Sequence, residues 1–402
     1  MKKKEIISKA KSPDTAKKRK KAEEKLRNAP NENINAGNVT QRISWVDNAK
    51  ALGIIAVFYG HIVQKIVWTT SIPAAGLQYK LIYSFHMPLF FLLSGFLMKE
   101  TQHRKLFIFM KNKFMTRVVP FFFFNILILP SYFIRTKMSN QSIDVSQIFQ
   151  RSLLLPAGIM PFNPITWFLA CLFSVEVINY LLYPVLHKSR TVLCMAMVLF
   201  YIMGWGLSYK ADIINQYIII PDYWFIHEAL VAYSFYLFGS LIAACPILYK
   251  KIDPSLNVFL LLLTATCVFT TFNMNDGPFK IYPVVFFVLG TYGNFLLFPL
   301  TAIAGSLCIV STSRLMPPFS FMSFLGRNTL SLMGLNGILD LFVNIFFINF
   351  SLKIFSDNYN HFSIFMQCAS LSCITLLLCV PFVIFLKKYL PFMIGYRKDK
   401  DN

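Results

Sequence analysis

Polar and apolar positions fall in long blocks, without the short alternation of a half-buried strand. Beyond residue 40, apolar stretches of membrane length recur at roughly 51–68, 81–98, 116–134, 165–186, 191–208, 229–248, 256–272, 293–311, 324–348 and 365–386. About twenty apolar residues rising 1.5 Å each cross a hydrocarbon layer about 30 Å thick, so each block predicts a transmembrane helix. The expected fold is all-α and integral to the membrane, with about ten transmembrane helices in one bundle over 41–390 and a short tail at 391–402. The apolar piece Ile281–Gly290 is too short to span; it reads as re-entrant or interfacial, or as part of a longer tilted eighth helix. Residues 1–40 differ from the rest, with twelve Lys or Arg and no apolar stretch. They predict a disordered basic tail facing anionic lipid rather than a signal peptide.

Composition sharpens this picture. The 402 residues are 56% hydrophobic and 14% charged, with 42 Phe, and the mean hydropathy is +0.55. A water-soluble fold cannot hide that much apolar side chain, because much of its surface must face water. The eight Cys are scattered without CxxC spacing, which argues against a disulfide scaffold. A net charge of +21 would suggest nucleic acid in a soluble chain, but here the cations sit in tails and short loops. With ten spans and the N-terminus inside, 31 Lys and Arg fall on the cytoplasmic side and 8 outside. That asymmetry predicts that both termini are cytoplasmic and that no nucleic acid is bound.

Polar groups inside apolar spans are costly and ask for a function or a partner. In the first span, Arg42, Asp47 and Lys50 precede the apolar run and His61 lies within it. Lys50 and His61 are eleven positions apart, about three turns, so they share one face roughly 16 Å apart. His86 lies in the second span, where it either meets His61 or satisfies a carbonyl that Pro88 frees in a bent helix. Glu176 and Asn179 fall near the middle of the fourth span, and Asn336 and Asp340, at i and i+4, in the ninth. Lys99 to Arg117 is the densest internal basic loop, with Lys113 near its end; it suits either a phosphate-rich ligand or simple positive-inside topology. No Cys/His cluster has metal-ligand spacing, His227-Glu228 lacks the HExxH pattern, and neither nucleotide-loop fingerprint occurs, so no metal is expected.

Taken together, Arg42-x4-Asp47-x2-Lys50-x10-His61 resembles the first-helix signature of the membrane acyltransferase 3 superfamily, and more closely its fucose 4-O-acetylase-related branch. Four later stretches agree in order: Ser84 to Phe96, with His86 and Ser94; Lys113 to Phe121, with Arg117; Thr166-Trp167-Phe168-Leu169; and Phe324 to Leu330. The resemblance implies a ten-helix O-acetyltransferase of a bacterial inner membrane, taking its acyl group from cytosolic acetyl-CoA. Its acceptor would be a hydroxyl on a cell-envelope polysaccharide or lipid-linked glycan. His61 matches the presumed catalytic histidine and His86 the second-helix histidine. Lys113 and Arg117 match the basic motif implicated in holding CoA phosphates, with Arg42 and Lys50 at the same face of the membrane. Relatives commonly carry a histidine near Asn336, so an acid–base role there is absent or moved to Asp340.

Acyl transfer to a sugar hydroxyl needs a base and donors for the developing oxyanion. Imidazole suits the first, since it titrates near working pH. His61 is therefore the expected base, with His86 or Asp340 orienting it or sharing the proton. Direct attack on the thioester and an acyl-histidine relay both stay open at this stage. Ser94 is a weaker nucleophile candidate, with no evident base beside it. The rival class is a transporter or flippase for a glycan, against which stands the lack of a repeated broken-helix pattern.

Overall fold

The computed structural model describes residues 43–70, 72–98, 105–138, 144–209, 222–245, 252–278, 282–340 and 360–396. The tail at 1–40, and with it Arg42, lies outside them, as do Lys99 and Arg104. Among the described residues there is no strand, only an isolated bridge between Phe286 and Thr291. Eight helices among the described residues are long and apolar enough to cross a membrane. The chain is a multi-pass, all-α integral membrane protein.

Helix α1 is Ser44–Thr69. The expected second span is instead two helices, α2 at Pro73–Tyr83 and α3 at His86–Phe96, broken at Ser84 and Phe85. Pro88 does not cause the break directly: it sits in the first turn of α3, where a missing N–H costs little. The third span starts earlier than the hydropathy suggests. It runs through α4 (Leu106–Lys113), a π turn (Phe114–Val118), α5 (Val119–Leu127) and α6 (Leu129–Met138). Short α7 (Val145–Ser152) is followed by α8 (Trp167–Leu186), α9 (Arg190–Tyr209) and α10 (Ile226–Ala243). Then come α11 (Pro254–Thr271) and α12 (Leu297–Leu315).

The ninth span is also broken, into α13 (Ser320–Arg327) and α14 (Thr329–Leu339), with Asn328 between them. Long α15 (His361–Tyr389) closes the order. Ends are set by local chemistry. Asp253 Oδ1 accepts from Ser255 N ahead of α11, and Asn294 Oδ1 accepts from Leu296 and Leu297 N ahead of α12. Asn360 and Ser363 form a reciprocal capping box on α15.

Burial separates inner from outer helices. About two thirds of the apolar windows of α8 and α10 are buried (67% each), against 22% for α9 and α11. The exposed faces of the outer pair are apolar, with Met195, Leu199 and Ile202 on α9 and Phe259, Leu262 and Leu263 on α11, as lipid-facing surfaces must be. Where inner helices meet closely, glycine makes room. A Cβ at Gly95 of α3 would overlap the carbonyl of Tyr236 on α10, and one at Gly239 of α10 would overlap that of Leu92 on α3. Hydrophobic attraction is weak between helices already in lipid, so such close backbone contact carries much of the association.

The piece at Ile281–Gly290 does not extend a helix. From Tyr282 it is irregular, with one 3-10 turn at Phe287–Leu289 that ends on Gly290 at φ +63°. Phe286 N and O both pair with Thr291, which pinches the loop shut. Non-helical backbone at membrane depth is tolerated where it is enclosed by protein or borders a cavity, and this loop does the second.

Candidate active site

Helix α1 turns Val57, His61, Gln64, Lys65 and Trp68 to one side, the positions a helix stacks on a single face. They form a wall of a cavity of about 320 Å³. Tyr83 and His86 face it from the α2–α3 break, Pro164 and Trp167 from the start of α8, Phe286 to Leu289 from the irregular loop, and Met333 and Asp340 from α14.

The polar groups on this wall are organised around Gln64. Its Oε1 lies 3.1 Å from His61 Nδ1 and accepts from Tyr83 Oη at 2.8 Å. Oε1 can only accept, so His61 Nδ1 carries the hydrogen and the neutral ring keeps its lone pair on Nε2. His86 is fixed the same way, with Nδ1 donating to the Ile82 carbonyl at 2.8 Å. That carbonyl is exposed by the helix break; the one Pro88 leaves without its usual donor belongs to Ser84. His86 therefore satisfies a carbonyl, that of Ile82 and not one freed by Pro88, and it also faces the cavity. The two imidazoles do not bond directly. Tyr83 stands between them, edge-on to each, with ring centres 6.5 Å from His61 and 4.7 Å from His86.

Asp340 is on the wall but its carboxylate is turned to Lys65, with Oδ2 2.9 Å from Nζ, and Lys65 also donates to the Asp340 carbonyl. The hydrogen bond at His61 Nδ1 is thus the one to Gln64. The lip at Pro164 is pinned by buried amides. Asn163 N donates to Asn125 Oδ1 (3.1 Å), Asn125 Nδ2 to Thr166 Oγ1 (2.9 Å), and Asn163 Nδ2 to the Gly334 carbonyl of α14 (3.0 Å). A Cβ at Gly337 would collide with Asn163, so α14 can approach only as glycine there.

A second polar group lies away from the cavity. Arg117 donates to Glu176 through Nε (3.1 Å) and Nη2 (3.0 Å), and Lys113 Nζ lies 2.8 Å from the same carboxylate. The π turn delivers both cations to one point. Pro120 has no N–H for the Thr116 carbonyl four residues back, and Arg117 Nη1 donates to that carbonyl instead. Glu176 is nine residues along α8 from Trp167, so this cluster is about 14 Å from the cavity wall along the helix axis.

A family model described as an acyltransferase domain, that of acyltransferase 3, matches residues 43–385. The chain belongs to the acyltransferase 3 family. No curated protein and no solved structure is matched.

The acyltransferase brings some of the sequence-predicted residues together and leaves others apart. His61, His86, Asp340 and Trp167 share the cavity. Ser94 is outside its lining and donates to the Phe90 carbonyl of its own helix at 2.7 Å. Asp47 is buried near the start of α1, 3.7 Å from Arg327 Nε. Lys50, on the same first turns, is partly buried. Asn336 is buried on α14 between Met333 and Asp340 but is not part of the lining, and its amide has no partner among the described residues. Among the described residues no His, Cys, Asp and Glu converge as a metal site. Sequence reasoning missed Gln64, Tyr83 and Lys65, and it singled out Ile281–Gly290 without placing that piece at the cavity. Gln64 at i+3 from His61 and Tyr83 at i−3 from His86 were the available signals, each one helical turn from a histidine already singled out.

Proposed function

We propose that this acyltransferase moves an acetyl group from cytosolic acetyl-CoA to a hydroxyl of a cell-envelope polysaccharide, or of its lipid-linked precursor, with His61 as general base. The observation that carries the reading is the state of His61: on the cavity wall, with Nδ1 committed to Gln64 and Nε2 left as the basic nitrogen. The acceptor oxygen attacks the thioester carbonyl carbon as its proton passes to Nε2, and the carbonyl electron pair moves onto oxygen. Collapse of that intermediate breaks the C–S bond, and the departing thiolate takes the proton back from Nε2. An oxygen ester and a free thiol result, with His61 restored. His86 presents its own Nε2 and orients the hydroxyl.

Lys113 and Arg117 are the proposed site for CoA phosphates. Glu176 neutralises one of their two charges and fixes both, leaving a net positive charge about 14 Å along α8 from Trp167. A long thin arm such as pantetheine suits that separation. The aromatic side chains of Trp68, Trp167 and Phe287 line the cavity and suit contact with a sugar ring. The charge asymmetry of the loops and the fucose 4-O-acetylase-related resemblance favour a bacterial inner membrane with both termini cytoplasmic.

The test uses inverted membrane vesicles, acetyl-CoA labelled in the acetyl group, and de-O-acetylated envelope polysaccharide of the same host. Label appearing in the polymer as alkali-labile ester is the expected result. Polymer crossing the vesicle membrane without gaining label would replace this reading with a transporter.

A further inference from the structure

A single 3-10 turn, Tyr223–Phe225, leads into α10 with two bulky residues in the left-handed region, Trp224 at φ +57° and Phe225 at φ +54°. Side chains other than glycine adopt that region rarely, and such a turn persists only where its surroundings hold it. Ser174 of α8 donates to the Trp224 carbonyl at 2.7 Å. The two ends of the turn are tied by acids. The Glu228 side chain hydrogen-bonds that of Asp222, whose Oδ1 also accepts from His227 N at 3.1 Å. Two carboxylates can only accept, so this contact exists only with a proton between them. Glu228 is 5% exposed, and its Oε2 receives no hydrogen bond from any described donor, as fits an oxygen that carries the proton itself.

The pair lies behind the aromatic wall of the cavity. Phe225 packs on Trp167, ring centres 6.0 Å apart, and Trp167 stacks on Phe287 at 5.7 Å. Gly290, which ends the Phe287–Leu289 turn, rests against the same carboxyl: a Cβ there would lie 3.4 Å from Glu228 Oε1. We infer that Asp222 and Glu228 are positioning residues for the transfer, which by sharing one proton hold Trp167 through Phe225 and the Phe287–Leu289 turn through Gly290. The role rests on the reading of this cavity as the place of transfer. As pH rises and the proton leaves, two like charges repel, the turn loses its closure and the wall shifts. The support is therefore present at low pH and lost at high pH, opposite in sign to a base such as His61, which acts once deprotonated. The titratable groups facing the pair are His227, with Nδ1 3.7 Å from Asp222 Oδ1, the Cys171 thiol of α8, and the Tyr292 hydroxyl beside Ser208 of α9. None of them is a lysine or arginine.

Full-length protein in detergent is assayed for transfer of labelled acetyl from acetyl-CoA to de-O-acetylated envelope polysaccharide, and separately for its unfolding midpoint, from neutral to mildly alkaline pH. Glu228→Gln and Asp222→Asn each set an amide donor against the remaining carboxyl and leave at most one charge there, so either carries the test should the other not fold. In wild-type protein both readouts should fall as pH rises. Transfer should fall by about ten- to a hundredfold, the factor that one hydrogen bond to a charged group corresponds to. In each variant neither readout should fall.

Wild-type protein level in both readouts, or a variant that falls as wild type does, would overturn the inference. So would midpoints that level in the variants while transfer still falls, which would make the pair structural only. A fall abolished by His227→Asn but not by Glu228→Gln would overturn it too, giving the dependence to the imidazole. No transfer by any of the proteins, wild type included, would overturn the transferase reading and the positioning role with it, while the midpoints would still decide on the shared proton.

Discussion

Replacing Glu176 with Gln changes one atom's identity and removes one buried negative charge. In the native protein the carboxylate is 6% exposed and receives both Lys113 Nζ and Arg117 Nη2 on the same oxygen, at 2.8 and 3.0 Å. The two cationic nitrogens therefore lie within about 6 Å of each other. Without the carboxylate, two unit charges at that distance repel by about 3 kcal/mol at an effective dielectric near 20. Breaking a buried ion pair on one side typically costs about 3–5 kcal/mol. Both cations are partly open, with 25% and 22% of their side chains exposed, so solvent takes back part of this. The net expectation is a destabilisation of about 2–4 kcal/mol, large beside a typical folding stability of about 5–15 kcal/mol.

The assay is thermal unfolding in detergent, followed by the fraction of protein that stays monodisperse. Glu176→Gln should lower the midpoint by several degrees. Adding Lys113→Met should recover a good part of the loss, because it removes one of the two repelling charges. An unchanged midpoint in Glu176→Gln, or no recovery in the double variant, would refute the claim that this carboxylate is what holds the two cations together.

Other outcomes follow from the same geometry. Tyr83→Phe removes one of the two donors to Gln64, and a single hydrogen bond of about 0.5–1.5 kcal/mol corresponds to roughly a two- to tenfold slower transfer in the vesicle assay. Asp340→Asn leaves Lys65 without its carboxylate at the cavity wall and should slow transfer, while adding Lys65→Met should restore most of the rate; a double variant as slow as the single would mean that Asp340 acts on His61 itself. Gly239→Ala puts a methyl on the Leu92 carbonyl and should destabilise the α3–α10 contact by about 1–3 kcal/mol, read as lower yield of folded protein, with Gly206→Ala, where a Cβ meets nothing, as the silent control.

The apolar spans, and several polar residues that share one cavity, were legible because a polar side chain in an apolar block stands out against its neighbours. His61, His86 and Asp340 were found that way, and Trp167 through the resemblance; all four share one cavity. Glu176 was visible for the same reason, but its pairing with Lys113 at the end of α4 and Arg117 on the π turn was not, since nothing in the sequence pattern brings α8 against that segment. Tyr83, Phe286 and Phe287 were hidden by composition: among 42 Phe and 18 Tyr, an aromatic facing a cavity looks like one facing lipid. The break at Ser84 and Phe85 was expected as a bend near Pro88, because proline is the conspicuous residue there while the real break is held by the His86 side chain on the Ile82 carbonyl. Two of the ten expected spans became pairs of short helices for comparable reasons, and hydropathy, which averages over a window, does not register such a break.

The central claim is that His61 is the base of an acetyl transfer to an envelope polysaccharide. It is tested most directly by proton NMR of that polymer from cells making either the intact protein or His61→Ala at equal membrane abundance. The account predicts that the O-acetyl signal disappears in the variant while polymer is still exported. Acetylation at the intact level in His61→Ala would contradict it.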